Sequence, residues 1–279
     1  MDAPAFLARW KLGAPTLVAE TIGSKIWRAT REDGTSAVVK AMKPVHDVHD
    51  ELRGAHYLRW RDGHGAVRLL DIEGLDMLLE DAGAVHLTQY LDAEGDRAAT
   101  DIAAGCLAEL FSASSMPAPH ELQPLGERLT SLFARARADR DAGVETLYVE
   151  AASEAVRLLD SQRDVRPLHG DLHHDNIMLG ARGWLAIDPK GLIGDSAYDV
   201  ANFFYNPIER DALRCDPERV AMMADVFSAR LSIPQRHLLD FAFAYGCLSA
   251  AWFAEDGMPE DERRELAAVS VVRDVRLSA

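Results

Sequence analysis

Asp171 and Asn176 stand with four residues between them in Leu168-His169-Gly170-Asp171-Leu172-His173-His174-Asp175-Asn176, and Ile187-Asp188-Pro189-Lys190-Gly191 follows soon after. An aspartate can orient an acceptor hydroxyl and take its proton. An amide oxygen and a second carboxylate are hard donors suited to magnesium on nucleotide phosphates, so the set has the layout of a phosphoryl-transfer site. Pro167 disfavours continuing a preceding helix, which predicts a loop for the first segment. Residues 177–179 and 184–187 read as hairpin strands around Gly180-Ala181-Arg182-Gly183, a fold-back that returns Asp188 toward Asn176. A competing reading makes His169, His173, His174 and Asp175 the transition-metal ligands of a hydrolase. It leaves Asp188, the hairpin and an upstream lysine without a role.

The first third must supply the nucleotide end of such a site. Residues 17–22 and 26–30 read as strands around Gly23-Ser24-Lys25, and Asp33-Gly34 turns the chain into a third strand over 36–42. Lys40, near the end of that strand, could reach nucleotide phosphates if a carboxylate holds it. Glu51, in a helix expected over 47–60, is the best partner, with Asp47 and Asp50 as rivals. Without the downstream aspartates Lys40 would read as one more surface lysine. The Gly23-Ser24 turn has one glycine where a phosphate loop has several. Either its backbone N–H groups meet phosphate oxygens or it is a plain hairpin turn. Strands over 67–72 and 77–79 flank Glu73-Gly74, and the pattern changes after Glu80-Asp81-Ala82-Gly83.

Beyond that point the spacing is helical. Ile102, Cys106, Leu107, Leu110 and Phe111 mark one buried stripe, and Val149, Ala152, Val156 and Leu159 another. Pro117, Pro119 and Pro124 interrupt them with an irregular connection. The apolar run over 241–254 contains Gly246, is short for a bilayer span and reads as a buried helix. The expected architecture is α+β, with a small β-rich lobe, a short hinge and a larger helical lobe. A net charge of −15 argues against a nucleic-acid or anionic-membrane partner. Cys106, Cys215 and Cys247 form no C-x-x-C pair, and the start lacks an apolar h-region, so a cytoplasmic location is expected.

HGDLHHDN followed by IDPKG resembles the signature of the aminoglycoside phosphotransferase family, relatives of protein kinases. WLAIDPKGLIGDSAYDVANFFYNP and GHGAVRLLD are similar to its streptomycin 6-phosphotransferase and hydroxyurea kinase branch. The resemblance covers almost the whole chain and is strongest over 167–207. It implies a protein-kinase-like bilobal fold: a nucleotide-binding lobe over 1–80, a hinge over 81–84, and a C-lobe over 85–279 carrying the catalytic loop and acceptor site. It implies Asp171 as the catalytic aspartate, Asn176 and Asp188 as the magnesium ligands, and His169 as a scaffold residue. The Glu80 carbonyl and Ala82 N–H would read adenine, while Asp195 and Asp199 would accept hydrogen bonds from the catalytic loop and cap a helix.

The reaction so implied is ATP- and magnesium-dependent phosphorylation of an aminoglycoside hydroxyl, streptomycin at its 6-hydroxyl, as antibiotic resistance. A kinase for hydroxyurea or another small alcohol, and a nucleotide-binding module without catalysis, stand as alternatives. A protein kinase is disfavoured because no activation segment ending in A-P-E follows Asp188. Three positions stay open. Asp175 stands where glycine is more usual, Lys190 could meet the γ-phosphate or pair with a carboxylate, and Glu255 and Asp256 could line an acceptor pocket or end a solvated helix.

Overall fold

A computed structural model describes residues 5–44 and 48–279. After helix α1 (Ala5–Arg9) come β1 (Gly13–Glu20), β2 (Ser24–Thr30), β3 (Ser36–Met42), helix α2 (Val48–Arg61), β4 (Leu69–Glu73) and β5 (Asp76–Glu80). The strands form one antiparallel sheet in the order β1-β2-β3-β5-β4. Alternation along β3 sends its side chains into two apolar layers. Ala37 and Val39 join Phe6, Leu12, Ala29 and Leu78, whereas Met42 packs with Ala55 of α2 and Met77. Lys40 shares the Met42 face, so its stem runs under α2 and only 7% of the residue is exposed. A lysine buried to that degree needs opposite charge within reach.

Two differences from the expected elements have local causes. Residues 21–23 form a turn closed by the Thr21 N–H on the Ser24 carbonyl (2.9 Å), which leaves Ile22 exposed at its tip rather than in a strand. Val67 lies outside the first sheet because its N–H donates to Ala186 (3.0 Å), bridging to the later hairpin. The expected start of α2 at Asp47 lies outside the described residues.

The rest of the chain is mainly helical: β6 (Val85–His86), α3 (Leu87–Glu94), α4 (Asp96–Leu110), β7 (Gln123–Pro124), α5 (Leu125–Arg128), α6 (Thr130–Asp141) and α7 (Leu147–Asp160). Then follow β8 (Val165–Leu168), β9 (Ile177–Gly180), β10 (Gly183–Ala186), β11 (Leu192–Asp195), α8 (Tyr198–Ala201), α9 (Asp211–Arg214), α10 (Pro217–Leu231), α11 (Gln235–Glu255) and α12 (Pro259–Ser278). The apolar run expected to be buried is the body of α11, which α6, α7, α10 and α12 surround. Val156 departs from its expected stripe and is half exposed. Helix α7 turns Tyr148, Ala152, Ala155 and Leu158 inward instead, where small residues let it approach α11. Among the described residues no helix is long and apolar enough to cross a membrane.

Candidate active site

Strands β8 and β9 belong to different three-stranded sheets, so residues 169–176 must cross between them. Buried side chains beneath the crossing hold it. Asp199, at the start of α8, accepts from the N–H groups of His169 and Gly170, each at 2.7 Å. The His169 Nδ1 accepts from the Asp171 N–H (3.3 Å), so its Nε2–H donates to the Ile187 carbonyl (2.8 Å). Burial lowers the His169 pKa to about 3, and a neutral ring with both nitrogens engaged can carry the loop but not shuttle protons. Asp195 departs from the expected pattern. It accepts from the Arg163 and Ala197 N–H groups and pairs with His237 at 2.9 Å, and so braces the chain before β8 rather than the loop.

The transition-metal reading has no geometry behind it. His174 is buried edge-on to Phe203, with neither ring nitrogen partnered among the described residues, and burial lowers its pKa to about 3. Among the described residues no group of three or more His, Cys, Asp or Glu side chains could hold a metal. The unusual Asp175 ties the loop to α3: its carboxylate accepts from Thr88 Oγ1 (2.5 Å), and its carbonyl from His86 Nδ1 (2.8 Å).

A cavity of about 950 Å³ lies between the first sheet and the helical part, and Gly23, Ser24, Lys40, Glu51, Asn176 and Asp188 are all on its wall. Lys40 Nζ contacts both Glu51 Oε2 and Asp188 Oδ1. Lys190 Nζ reaches Glu51 Oε1 at 3.0 Å and Asp188 Oδ2 at 3.5 Å. These four side chains form a closed quartet of two cations and two anions. Burial acts to raise the Asp188 pKa, but Lys40 and Lys190 outweigh it and hold the carboxylate ionised. The same attraction raises Lys190 against its own desolvation. Of the rivals to Glu51, Asp50 faces Arg53 and Arg128 instead, and Asp47 lies outside the described residues.

Asn176 Nδ2 donates to the Asp171 carbonyl (2.8 Å), and its amide oxygen has no partner among the described residues on a cavity wall it shares with Asp188. An amide oxygen and an ionised carboxylate fit magnesium, which is held by few protein oxygens and takes the rest from phosphates and water. Asp171 itself is partly exposed and does not line this cavity. Burial raises its pKa, and His173, Lys190 and Arg128 act against that rise. At the turn, the Ser24 N–H is committed to Thr21 Oγ1 (3.0 Å), so the plain-hairpin reading describes Ser24. The Gly23 N–H has no acceptor among the described residues.

Beside the hinge, Glu80 takes two bonds from Arg182 of the β9–β10 turn (2.7 and 2.6 Å), and Asp81 takes Arg28 (2.8 Å) and Ser36 (2.6 Å). The Glu80 pair joins the first sheet to the β9–β10 turn, and Glu80, Asp81 and Ala82 line the cavity. At the opposite end the Arg128 guanidinium lies 4.7 Å over the Trp252 ring and 3.0 Å from Asp50. Glu255 accepts from Ser131 (2.9 Å), and Glu255 and Asp256, at the end of α11, are exposed and on the cavity wall. Arg128, Asn202 and Gly54 escaped the sequence reading. Only the spacing Asn202-x-x-x-Asn206, one helical turn, hinted at the second.

The chain matches the profile of the aminoglycoside/hydroxyurea antibiotic resistance kinases over residues 9–257. It is 38% identical over 262 residues to the streptomycin 3''-kinase of Klebsiella pneumoniae, spanning 90% of this chain and 92% of that one. To the streptomycin 6-kinase of Streptomyces glaucescens it is 32% identical, over 90% of this chain and 81% of that one. The crystal structure of aminoglycoside phosphotransferase APH(4)-Ia in ternary complex with ADP and hygromycin B superposes with a TM-score of 0.64 at 14% identity, covering 96% of each chain. The fold is therefore the protein-kinase-like one that the family resemblance implied. The chain belongs to the aminoglycoside/hydroxyurea antibiotic resistance kinase family and is a phosphotransferase.

Proposed function

We propose that the chain transfers the γ-phosphoryl group of ATP, with magnesium, to a hydroxyl of streptomycin. The observation that carries the reading is the Lys40–Glu51–Asp188–Lys190 quartet sharing a cavity wall with Asn176. Residues 1–80 form the nucleotide lobe, 81–84 the hinge and 85–279 the lobe that receives the acceptor. The Glu80 carbonyl and Ala82 N–H read adenine, the Gly23 N–H meets the phosphates at a turn that Ser24 closes, and Lys40, held by Glu51, draws them into line. Asn176 and Asp188 hold magnesium, which supplies charge neutralisation to the phosphates. Asp171 orients the acceptor hydroxyl and accepts its proton. No covalent enzyme intermediate is needed, because alignment and charge neutralisation do the work. Glu255 and Asp256 give the cationic drug complementary charge where the cavity opens.

Support for streptomycin comes from the relatives named above. They divide over position, since the sequence resemblance points to the 6-hydroxyl and the higher identity is to a 3''-kinase. Incubating the purified protein with magnesium, ATP and streptomycin should give a drug heavier by one phosphoryl group, with NMR locating the ester at the 6- or the 3''-position. A product with hydroxyurea or another small alcohol alone would discard streptomycin and keep the chemistry. ATP binding with no product from any acceptor would defeat the enzymatic reading.

Lys40→Met removes one cation from the quartet and one charged contact to phosphate. A charge-assisted contact of about 2 kcal/mol corresponds to roughly a thirtyfold rise in the KM for ATP. An unchanged KM in steady-state assays would show that Lys40 does not meet the nucleotide.

A further inference from the structure

The Asp171 carboxylate is held through one oxygen only. Asn202 Nδ2 donates to Asp171 Oδ1 at 3.1 Å, while Oδ2 has no hydrogen-bond partner among the described residues. Asn202 is itself buried, and the orientation of its amide is determined by its surroundings. An ionised carboxylate only accepts, so the amide nitrogen must face Asp171 and the amide oxygen must face away. On that far side Asn206 Nδ2 donates to Asn202 Oδ1 (2.7 Å) and to the Asn202 carbonyl (3.1 Å). The Asn206 carbonyl in turn accepts from Arg219 Nη2 (2.9 Å), whose guanidinium pairs with Asp96 at 3.0 Å. A polar chain thus runs from α4 and α10 to one oxygen of the aspartate, and every bond in it has a single sensible direction.

We propose that Asn202, braced by Asn206, is a positioning residue for phosphoryl transfer: it anchors Asp171 Oδ1 so that Oδ2 alone is presented to the acceptor hydroxyl. The inference rests on the assignment of Asp171 as the group that meets that hydroxyl. Without the anchor the carboxylate is free to turn about its side-chain bonds toward Lys190, and both oxygens leave the aligned position. The backbone of the loop is held independently by Asp199 and His169, so removing the Asn202 amide leaves the Lys40–Glu51–Asp188–Lys190 quartet in place. Nucleotide binding and turnover should therefore separate.

The test uses the full chain as Asn202→Ala and Asn206→Ala, with wild type and Asp171→Asn alongside, in steady-state assays with magnesium, ATP and streptomycin. Misplacing a reacting group by about an ångström costs up to a hundredfold. Asn202→Ala is expected to lower kcat by roughly thirty- to a hundredfold and to leave both KM values within about twofold. Asn206→Ala, which releases the amide without removing it, should lower kcat by a smaller factor. A crystal structure of Asn202→Ala should show the Asp171 carboxylate turned from its wild-type direction with the loop backbone unmoved. The inference is overturned by a kcat within twofold of wild type, or by a fall in kcat and melting temperature accompanied by a rise in both KM values. An unmoved Asp171 carboxylate in the crystal overturns it as well. Wild type without streptomycin product would instead defeat the acceptor assignment, and the crystal structure would then decide the anchoring by itself.

Discussion

Asp171→Asn is expected to reduce phosphorylation of the acceptor about a thousandfold while ATP and magnesium still bind within a few-fold of wild type. The substitution keeps the shape of the side chain and removes its capacity to take a proton. Its surroundings tolerate the change, because the bonds that hold this stretch reach backbone atoms. His169 Nδ1 accepts from the residue-171 N–H, Asn176 donates to its carbonyl, and Asp199 binds the two preceding N–H groups. The loss should therefore fall on kcat, with calorimetric titration showing nucleotide affinity preserved. A pH profile adds a sign. The ionised carboxylate is the working form, and burial raises its pKa, so wild-type activity should decline on acidification at a higher pH than an exposed aspartate would give. A variant that keeps a tenth or more of wild-type turnover would remove Asp171 from the chemistry.

Gly54→Ala is expected to lower the stability of the chain by about 1–3 kcal/mol and to weaken nucleotide use as well. In a free helix the same change would stabilise by up to about 1 kcal/mol, so the predicted sign is reversed by packing. The cause is a close approach between α2 and the Pro189–Gly191 segment. A Cβ at Gly54 would stand 2.0 Å from the Pro189 carbonyl oxygen, and one at Gly191 2.6 Å from the Arg53 carbonyl oxygen. Gly191 also has φ 67°, a conformation that side chains disfavour. Two glycines facing each other let the helix lie directly on the segment that carries Asp188 and Lys190. That contact brings Glu51 within 3.0 Å of Lys190 and onto Lys40. Pushing α2 outward opens the quartet, so the KM for ATP should rise with the loss of stability. Thermal unfolding and steady-state kinetics on the one variant check both halves. A raised melting temperature with unchanged KM would mean that the helix has room to move.

Much of the site was legible because its chemistry is local. Pro167, the Gly180–Gly183 turn and the short strands beside it show that Asp188 must fold back, and β3 occupies the expected residues 36–42 because Asp33-Gly34 and the residues after it speak plainly. The apolar run over 241–254 also marked the burial of α11. Where several elements meet, the local signal gave out. Among three acidic residues near the start of α2, Glu51 reads as the best partner for Lys40, but only contact between segments completes the pair. Which one meets Lys40 depends on the rotation of the helix, and that depends on Gly54 resting against a proline far along the chain. The spacing of Val149, Ala152, Val156 and Leu159 correctly marks a helix, yet small alanines facing α11 turned Val156 outward. Glu255 and Asp256 could be seen as charges, but their place on the cavity wall is set by where α11 ends. The sequence by itself determined which groups could transfer a phosphoryl group, because residue type and nearby turns carry that information. Only the tertiary structure decided how they are held, with Asp188 and Lys190 closing the Lys40–Glu51 pair into a quartet and Asn202 anchoring Asp171, because such contacts depend on distance between segments that no local pattern encodes.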